Sequence, residues 1–568
     1  MKNENIFFLS HSSEKQVDIL LVTGDAYIDH PSFGIAIISR VLENAGYSVC
    51  IVSQPDYKNR AFLDSLPDVR LFIGVSAGNL DSVVSNYTSN RNRRKEDDYS
   101  IDGCMIFPEG HLKRPDRASI TYVSYLKQRY KHIPIVLGGI EASLRRFAHY
   151  DFVQDKIRQS ILLDTKADCL VYGMGEKAVV DIAKRLDGKN DLFGIPGTAI
   201  AFDSNKLSVI TNNQPYTALP SYEEILSEPY NLIKATMIIE ENMTGLSSEN
   251  LIQFSGNKAV LTFSPQKTVT QNEIDEIYNL PYRRDFPAYC ESIPAYRMIK
   301  DSITSHRGCY GRCSFCAIAS HQGPFISSRS ESSIIQEALS ISEKSSFKGT
   351  ISDIGGPTAN MYGSYCSIGG CKKANCLYPG ICKNLVIRQD IFAEVIQKVK
   401  NTKGIKHIFI NSGLRYDIML TDEISSEYII VNHTSGLLKV APEHTNNAIL
   451  QLMRKPSFTV FERFIQLFNR IKKKNNLNYY ILPYIILSHP GSDNNSAEEL
   501  GKTLIKHSIA TKQYQDFTPT PGTVSTAMYY AGKNVDNQPI HIPKHSSLNN
   551  PQRNIVERLL KSNHGKNR

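Results

Sequence analysis

Short apolar runs alternate with helical stretches along the first 200 residues. Residues 33–44 and 176–185 carry apolar side chains at helical spacing, and the runs on either side of them are extended in character. The strands predicted from these runs cover residues 18–24, 47–53, 71–76, 133–137 and 168–172. Strands that are apolar on both faces are typical of a parallel sheet covered by helices on both sides. The pattern predicts a doubly wound, Rossmann-like α/β domain over residues 1–202.

A second alternation of strands and helices begins at residue 301. Its six predicted strands cover residues 302–306, 349–354, 407–411, 437–441, 479–487 and 516–518. Six such units predict a partial (β/α)6 barrel over residues 301–530, with working residues at the carboxyl ends of the strands. The weakly periodic residues 203–300 are interpreted as a connector. Residues 531–568 are interpreted as a basic, flexible C-terminal tail.

Composition and charge place the chain among soluble proteins of more than one domain. It has 568 residues, of which 41% are hydrophobic and 21% charged, with a net charge of +9. The basic C-terminal segment leaves contact with RNA open, although a solvated end is the commoner meaning of such a segment. The first residues lack the apolar region of a signal peptide, and the apolar run 479–487 is too short to span a bilayer. We therefore expect a cytoplasmic protein without membrane contact.

Seven of the eleven cysteines lie between residues 309 and 382. Cys309, Cys313 and Cys316 follow the first predicted barrel strand with Cys-x3-Cys-x2-Cys spacing. Three thiolates on one short loop can hold three irons of a cubane cluster and leave the fourth iron open to a small molecule. A ferredoxin or a structural zinc site would supply a fourth protein ligand. The spacing therefore favours an iron–sulfur cluster with one exchangeable position.

This loop resembles the signature of the radical S-adenosylmethionine (SAM) superfamily, in which an aromatic residue, here Phe315, precedes the last cysteine. The resemblance implies a [4Fe-4S] cluster whose unique iron chelates SAM. Reduction of SAM would then release methionine and a 5′-deoxyadenosyl radical. It also implies that Phe315 lies beside the cofactor.

Residues at the ends of the other barrel strands are the candidate SAM contacts. Two glycines would bring backbone close to the methionine amino group, at the position where the superfamily has Gly-Gly-Glu and this chain has Pro357. A serine could meet a ribose hydroxyl, an arginine the carboxylate, and a glutamate the ribose. These candidates are Gly355, Gly356, Ser412, Arg415 and Glu443. Each could instead serve only to form its turn.

Four further cysteines lie between the second strand of the predicted barrel and its helix. They are Cys366, Cys371, Cys376 and Cys382. Four thiols within 17 residues could hold an auxiliary iron–sulfur cluster or a structural zinc ion. Their spacing lacks the usual Cys-x2-Cys pairs, and unligated thiols remain the alternative.

Glycine-containing loops at the ends of the N-terminal strands raise the question of a second cofactor. Many radical SAM enzymes carry a cobalamin domain of this shape, with the cobalt-ligating pattern Asp-x-His-x-x-Gly. Here Asp29 and His30 are adjacent and the next glycine is Gly34, so the pattern is not met. No Gly-x-Gly-x-x-Gly follows the first strand, which argues against a dinucleotide. Cobalamin and a cofactor-free lid both remain open.

Several phrases together resemble the YgiQ-type radical SAM proteins. They include the stretches at residues 22–27, 29–34, 138–146, 355–361, 412–417 and 441–444. That family is named for its sequence, so the resemblance implies cofactors, and an electron donor such as a flavodoxin or ferredoxin, without a substrate. No residue is assigned to hydrogen abstraction.

Three hypotheses for the function follow. The first is a radical SAM enzyme that abstracts hydrogen from an unidentified substrate. The second is a cobalamin-dependent radical SAM methyltransferase. The third is a non-catalytic iron–sulfur or zinc module for electron transfer or RNA binding, against which the six barrel units and the missing fourth ligand argue.

Overall fold

A ten-stranded sheet dominates the N-terminal half of the computed structural model, which describes residues 5–9, 15–211, 215–244, 246, 249–288, 290, 292–372, 375–509, 514–543 and 550–566. Its strands are β1 (Ile6–Phe8), β2 (Gln16–Thr23), β3 (Val49–Ser53), β4 (Asp68–Ser76), β5 (Ile135–Gly138), β8 (Cys169–Val171), β9 (Thr198–Asp203), β10 (Tyr216–Ala218), β11 (Asn250–Ser255) and β12 (Lys258–Thr262). Strands β6 (His149–Asp151) and β7 (Lys156–Arg158) form a separate antiparallel hairpin. The spatial order is β1-β3-β2-β4-β5-β8-β9-β12-β11-β10.

The five central strands β3, β2, β4, β5 and β8 are parallel, as the apolar pattern predicts. Alternate residues of β2 enter different cores, because successive side chains of a strand point to opposite faces. Ile19 and Leu21 pack in one buried cluster, and Leu20 and Val22 pack in another. Both faces are therefore covered by helices, and the doubly wound arrangement is confirmed.

Twelve helices accompany this sheet. They are α1 (Gly34–Asn44), α2 (Arg60–Asp64), α3 (Ser82–Asn86), α4 (Ala118–Leu126), α5 (Gly139–Leu144), α6 (Ile161–Thr165), α7 (Glu176–Asp187), α8 (Leu207–Thr211), α9 (Tyr222–Ser227), α10 (Tyr230–Asn242), α11 (Gln271–Tyr278) and α12 (Pro294–Ile299). Among the helices of the described residues, none is long and apolar enough to cross a membrane.

The sheet continues past residue 202 into the segment expected to be a connector. Strand β12 pairs antiparallel with β9 and with β11, and β10 adds to the edge. Leu251 and Val260 of these strands join the core of the central sheet. Residues up to Thr262 are therefore part of the N-terminal sheet, because pairing with that sheet buries the apolar side chains of these strands.

Among the described residues, the second half has eleven strands and ten helices. The strands are β13 (Ser302–Thr304), β14 (His306–Arg307), β15 (Ser327–Ser328), β16 (Thr350–Ile351), β17 (Asp353–Gly355), β18 (Tyr365–Cys366), β19 (Leu385–Val386), β20 (His407–Ile408), β21 (Leu437–Glu443), β22 (Tyr480–Leu487) and β23 (Tyr514–Asp516). The helices are α13 (Ile318–Gln322), α14 (Glu331–Ser342), α15 (Gln389–Lys400), α16 (Tyr416–Met419), α17 (Glu423–His433), α18 (Asn447–Leu452), α19 (Phe458–Lys474), α20 (Asn494–Lys506), α21 (Val524–Ala531) and α22 (Pro551–Lys566).

Six parallel strand positions form an arc in chain order. Strand β13 pairs with β17, β16 with β20, and β21, β22 and β23 pair in sequence. A parallel bridge between Leu414 and Val440 joins the third position to the fourth. The partial barrel is thus confirmed, with its last strand two residues earlier than the predicted 516–518.

The C-terminal segment is not a free tail. Helix α22 packs along α20, where Val556 is fully buried and Leu559 lies against Gly501. The expectation of a flexible segment over residues 531–568 is wrong for this helix, because its apolar residues find a surface on the barrel. Residues 544–549 and 567–568 lie outside the described ranges.

Candidate active site

The loop carrying Cys309, Cys313 and Cys316 runs from β14 to α13. It starts at Gly308, whose φ is +89°, and a Cβ there would lie 1.9 Å from the carbonyl oxygen of Phe325. Only glycine fits that position. The Cys309 N–H donates to the Gly323 carbonyl at 3.1 Å, and the Cys316 N–H donates to the Cys313 carbonyl at 3.0 Å. These bonds fold the loop back onto the end of α13.

Electrostatics at this loop disfavour thiolates that have no positive charge beside them. Burial raises the pKa of the Cys309 and Cys316 thiols, and the neighbouring Cys313 thiol raises both further. Three thiolates here would repel one another unless positive charge lies among them, and a coordinated metal supplies such charge. One cation is already close, because Arg415 Nη1 lies 3.6 Å from Cys313 Sγ.

The three thiols suit a cluster by residue type and by their partial burial. In the described ranges, no three His, Cys, Asp or Glu side chains are gathered so as to hold a metal ion, and this applies to both cysteine groups. The three cysteines are free thiols that are partly shielded from solvent. When loaded, Cys309, Cys313 and Cys316 would be the protein ligands.

The glycine pair at the end of β17 serves close packing. A Cβ on Gly355 would lie 2.3 Å from Ser412 Oγ, and one on Gly356 would lie 2.7 Å from the imidazole of His306. The Gly355 carbonyl accepts the Ser305 N–H at 2.7 Å. Ser412 is held by Asp353, which accepts its hydroxyl and, at 3.0 Å, its N–H. The glycines thus allow neighbouring side chains to approach the strand end.

Arg415 and Glu443 are both buried, and each acts on the charge of a thiol in the cysteine loop. Arg415 forms a fork with Asp417, at 2.8 Å from Nε and 2.5 Å from Nη2. The carboxylate that this guanidinium meets is therefore a protein group. Glu443 has a φ of +68° and lies 3.7 Å from Lys455 Nζ. Burial raises its pKa, while Lys455 opposes that shift.

Phe315 packs edge-on against His489, with ring centroids 6.3 Å apart. His489 Nε2 lies 2.7 Å from Ser525 Oγ, which in turn contacts the Ser314 hydroxyl at 2.8 Å. The aromatic position of the motif is therefore fixed by a buried network that includes its preceding residue.

A cavity of about 600 Å³ lies between the carboxyl edge of the N-terminal sheet and the mouth of the barrel. Its walls include Arg307 and Ile318, one on each side of the cysteine loop. Polar groups from both halves converge on it: Asp25, Ser32, Asn79, Glu176, His306, His321, Asp353 and Ser412. Gly355 and Gly356 also line it, whereas Phe315, Arg415 and Glu443 are not among its described lining residues. Its size suits a small molecule.

The comparisons with known proteins agree with this arrangement. The profile of the Radical SAM N-terminal family matches residues 9–302. A UPF0313 protein of Methanocella arvoryzae is 42% identical over 93% of this chain and 88% of its own length. One from Thermotoga neapolitana is 40% identical over 95% of this chain and 96% of its own. The chain belongs to this YgiQ-type family of radical SAM proteins. The prediction from the motifs is confirmed, and the protein is a radical SAM enzyme whose family cofactors are a [4Fe-4S] cluster and SAM.

A solved structure shows the same fold. The radical SAM methyltransferase TsrM from Kitasatospora setae, with tryptophan and a SAM analogue bound, has a TM-score of 0.50 at 13% identity. The match covers 89% of this chain and 74% of that one. The order of a Rossmann-like sheet followed by a partial barrel is therefore that of a known radical SAM enzyme.

Two histidines of the cavity wall, the buried His306 and the half-buried His321, were not singled out from the sequence. His306 Nδ1 lies 2.9 Å from Ser305 Oγ, and its Nε2 has no partner in the described ranges. His321 Nδ1 lies 3.0 Å from Ser143 Oγ. Burial lowers the pKa of each to about 4, so both are neutral at neutral pH. Their position just outside the cysteine loop, three residues before it and five after, was the available signal.

An ion pair joins the two halves beside the cavity. Arg307, at the start of the cysteine loop, pairs with Glu176 at the start of α7 and lies 3.2 Å from the Tyr278 hydroxyl. All three are buried. The start of α7, which follows β8, thus holds the sheet against the barrel.

His30 is buried and away from the cavity. Its Nδ1 accepts the Ser32 N–H at 3.1 Å, and it is not among the described lining residues. Its neighbour Asp29 is paired with Arg40. The near-match to a cobalt-ligating pattern is therefore used in packing this loop.

The second cysteine group lies beside the first. Cys366 is in β18, and the other three follow in the loop that leads to β19. Burial and the thiols of Cys382, Cys371 and Cys366 raise the pKa of Cys376 to about 11. The four thiols are free and half-buried. The four residues that the spacing singles out thus lie in one segment, in which the other three thiols act on the charge of Cys376.

Proposed function

We propose that Cys309, Cys313 and Cys316 hold the cluster, and that the cavity of about 600 Å³ beside them receives the substrate. SAM chelated to the cluster's open iron supplies, on reduction, the 5′-deoxyadenosyl radical that abstracts hydrogen. The observation that carries the proposal is the position of the cysteine loop. Its two flanks, at Arg307 and Ile318, form part of the cavity wall.

The chain's own groups position the reactants and exclude water. Ser412 and Asp353 face the cavity as a hydrogen-bonded pair. The Ser412 oxygen can accept a ribose hydroxyl while its own proton is held by Asp353. Arg415 offsets thiolate charge at Cys313, and buried Glu443 can take a polar group of SAM near Cys316. The Arg307–Glu176 pair closes the chamber by holding the two halves together, which protects a radical from solvent.

The experiment is reductive cleavage of SAM by anaerobically reconstituted protein. We expect 5′-deoxyadenosine and methionine in equal amounts, even without substrate. Addition of a deuterated small-molecule extract should place deuterium in the 5′-deoxyadenosine if hydrogen is abstracted from a metabolite. Protein that holds a complete cluster and releases no 5′-deoxyadenosine would contradict the proposal.

A second candidate is a cobalamin-dependent methyltransferase. It is supported by the cavity at the carboxyl edge of a parallel sheet, where ligands of such sheets bind. TsrM from Kitasatospora setae, whose fold this chain shares, has been solved with cobalamin bound. His30 is not among the cavity's described lining residues, and its buried Nε2 has no hydrogen-bond partner in the described ranges. Titration of reconstituted protein with cobalamin tests this candidate. If the protein retains no corrinoid spectrum after the titration, the candidate is removed.

We further propose that the protein works in the reducing cytoplasm with a flavodoxin or ferredoxin as electron donor. The seven cysteines between residues 309 and 382 are free thiols, as expected where disulfides are disfavoured. Purified flavodoxin with its reductase should replace dithionite in SAM cleavage. If dithionite supports SAM cleavage and neither flavodoxin nor ferredoxin does, that result would count against this pairing.

A further inference from the structure

The second cysteine group is organised by backbone hydrogen bonds. Strands β18 and β19 pair antiparallel, which places Cys366 opposite Leu385. The Leu385 N–H donates to the Cys382 carbonyl at 3.0 Å, and the Cys382 N–H donates to the Cys376 carbonyl at 2.8 Å. Three of the four cysteines are thus linked along one chain of contacts. The thiols of all the others, including Cys371, lie close enough to Cys376 to act on its charge.

This group is attached to the first cysteine loop. The Cys376 N–H donates to the Tyr310 carbonyl at 3.2 Å, and the Asn375 side-chain amide donates to the Gly311 carbonyl. Both acceptors lie between Cys309 and Cys313. Cys376 and Cys309 also contact the same small apolar cluster. The backbone between Cys309 and Cys313 is therefore hydrogen-bonded directly to the segment that carries the second group.

A buried arginine supplies positive charge to the second group. Arg312 precedes Cys313 and has a left-handed backbone, with a φ of +39°. Burial lowers its pKa, and the Glu240 carboxylate and, after it, the Cys376 thiol oppose that shift. Arg312 is only 6% exposed, and its Nη1 has no hydrogen-bond partner in the described ranges. Its Nη2 donates to the Glu240 carbonyl, while the Glu240 carboxylate is paired with Arg454 at 2.8 Å. A buried cation without its own anion is strongly unfavourable.

We propose that Cys366, Cys371, Cys376 and Cys382 form a second, closed metal site with four thiolates, attached to the first loop and facing Arg312. Thiolates would add negative charge beside this arginine, whose neighbouring carboxylate, Glu240, is already paired with Arg454. Four thiolates suit an iron–sulfur cluster or a zinc ion. The inference goes beyond the proposed function and does not depend on it.

Metal stoichiometry tests the site. Reconstituted wild type should carry about eight irons per chain, or about four irons and one zinc, by the stoichiometry of these sites. The first result identifies a second cubane and the second a zinc ion. Cys376→Ser and Cys371→Ser should lose the additional four irons or the zinc and keep about four irons. The triple variant Cys309→Ala, Cys313→Ala, Cys316→Ala should show the converse loss.

The exposed free thiol of Cys104 provides the matched control, and Cys104→Ser should bind the same metals as wild type. Alkylation of native protein supplies a readout that needs no variant. The four half-buried thiols should resist iodoacetamide in loaded protein and react after chelation. Wild type with about four irons and no zinc would overturn the proposal. Folded variants of both Cys371 and Cys376 with wild-type metal content would overturn it as well.

Discussion

The two cysteine groups differ in what lies around them. The first has three thiols on eight residues, and the flanks of its loop form part of the wall of the large cavity. The second has four thiols over 17 residues, and none of them is among that cavity's described lining residues. Three ligands suit a cluster that must bind a small molecule, whereas four suit a closed site. The thiols of the first group are not described lining residues either, so the two loops differ in their flanks: those of the first border the cavity and those of the second do not.

The largest expected effect follows from removing one ligand of the first group. Replacing Cys309, Cys313 or Cys316 singly by Ala leaves too few thiolates to hold the cubane with one iron open, so 5′-deoxyadenosine release should fall to the protein-free blank. Each variant should keep the wild-type melting profile, because the cores of both halves lie elsewhere. Cys104→Ser is the control and should cleave SAM normally. A folded alanine variant with the wild-type rate would show that this loop does not hold the cluster.

Arg415, beside the first group, is paired with Asp417, whereas Arg312, beside the second, has an Nη1 without a hydrogen-bond partner in the described ranges. Arg415→Met leaves Asp417 buried without its partner, which should destabilise the protein by about 3–5 kcal/mol in urea unfolding. The double variant Arg415→Met, Asp417→Asn should recover most of this loss. Both variants should retain less iron than wild type, since the cation next to Cys313 is gone. Equal iron retention in the double variant and wild type would limit Arg415 to a structural role.

Close packing at the first site gives a smaller effect. Gly355→Ala should cost about 1–3 kcal/mol, the usual penalty for overpacking, because its Cβ would meet Ser412 Oγ at 2.3 Å. Gly413→Ala is the matched control, since a Cβ there meets nothing within 4 Å. Thermal unfolding of both variants measures the difference. If the two are equally stable, Ser412 moves aside and the glycine is not required for packing.

Patterns local in sequence predicted the central sheet, the barrel and the cysteine loop. Buried parallel strands are continuous apolar runs, and three cysteines on eight residues need no tertiary information. Pairing between distant segments was not predictable. Strand β12 joins β9 through the register of Lys258 with Asp203, across 55 residues. The partner of Arg415 was also missed, because a residue two positions away, Asp417, competes with any ligand for the same fork.

The smallest expected effect concerns pH and the histidine before the first group; the second group contains no histidine. Burial lowers the pKa of His306 to about 4, against about 6.5 in the unfolded chain. The unfolded chain therefore binds more protons between these values, and stability is lost as the pH falls from about 6.5 to about 4. The slope should be at most about 1.4 kcal/mol per pH unit from this one group. Asp25, whose pKa burial raises to about 6, contributes the opposite slope, so the histidine's part must be taken as a difference between variants.

Urea unfolding of His306→Gln at pH 7, 6 and 5 should show a shallower loss of stability than wild type, whereas His407→Gln, at an exposed position, should follow wild type. Parallel curves for wild type and His306→Gln would mean that the pKa of His306 is the same in the folded and unfolded protein.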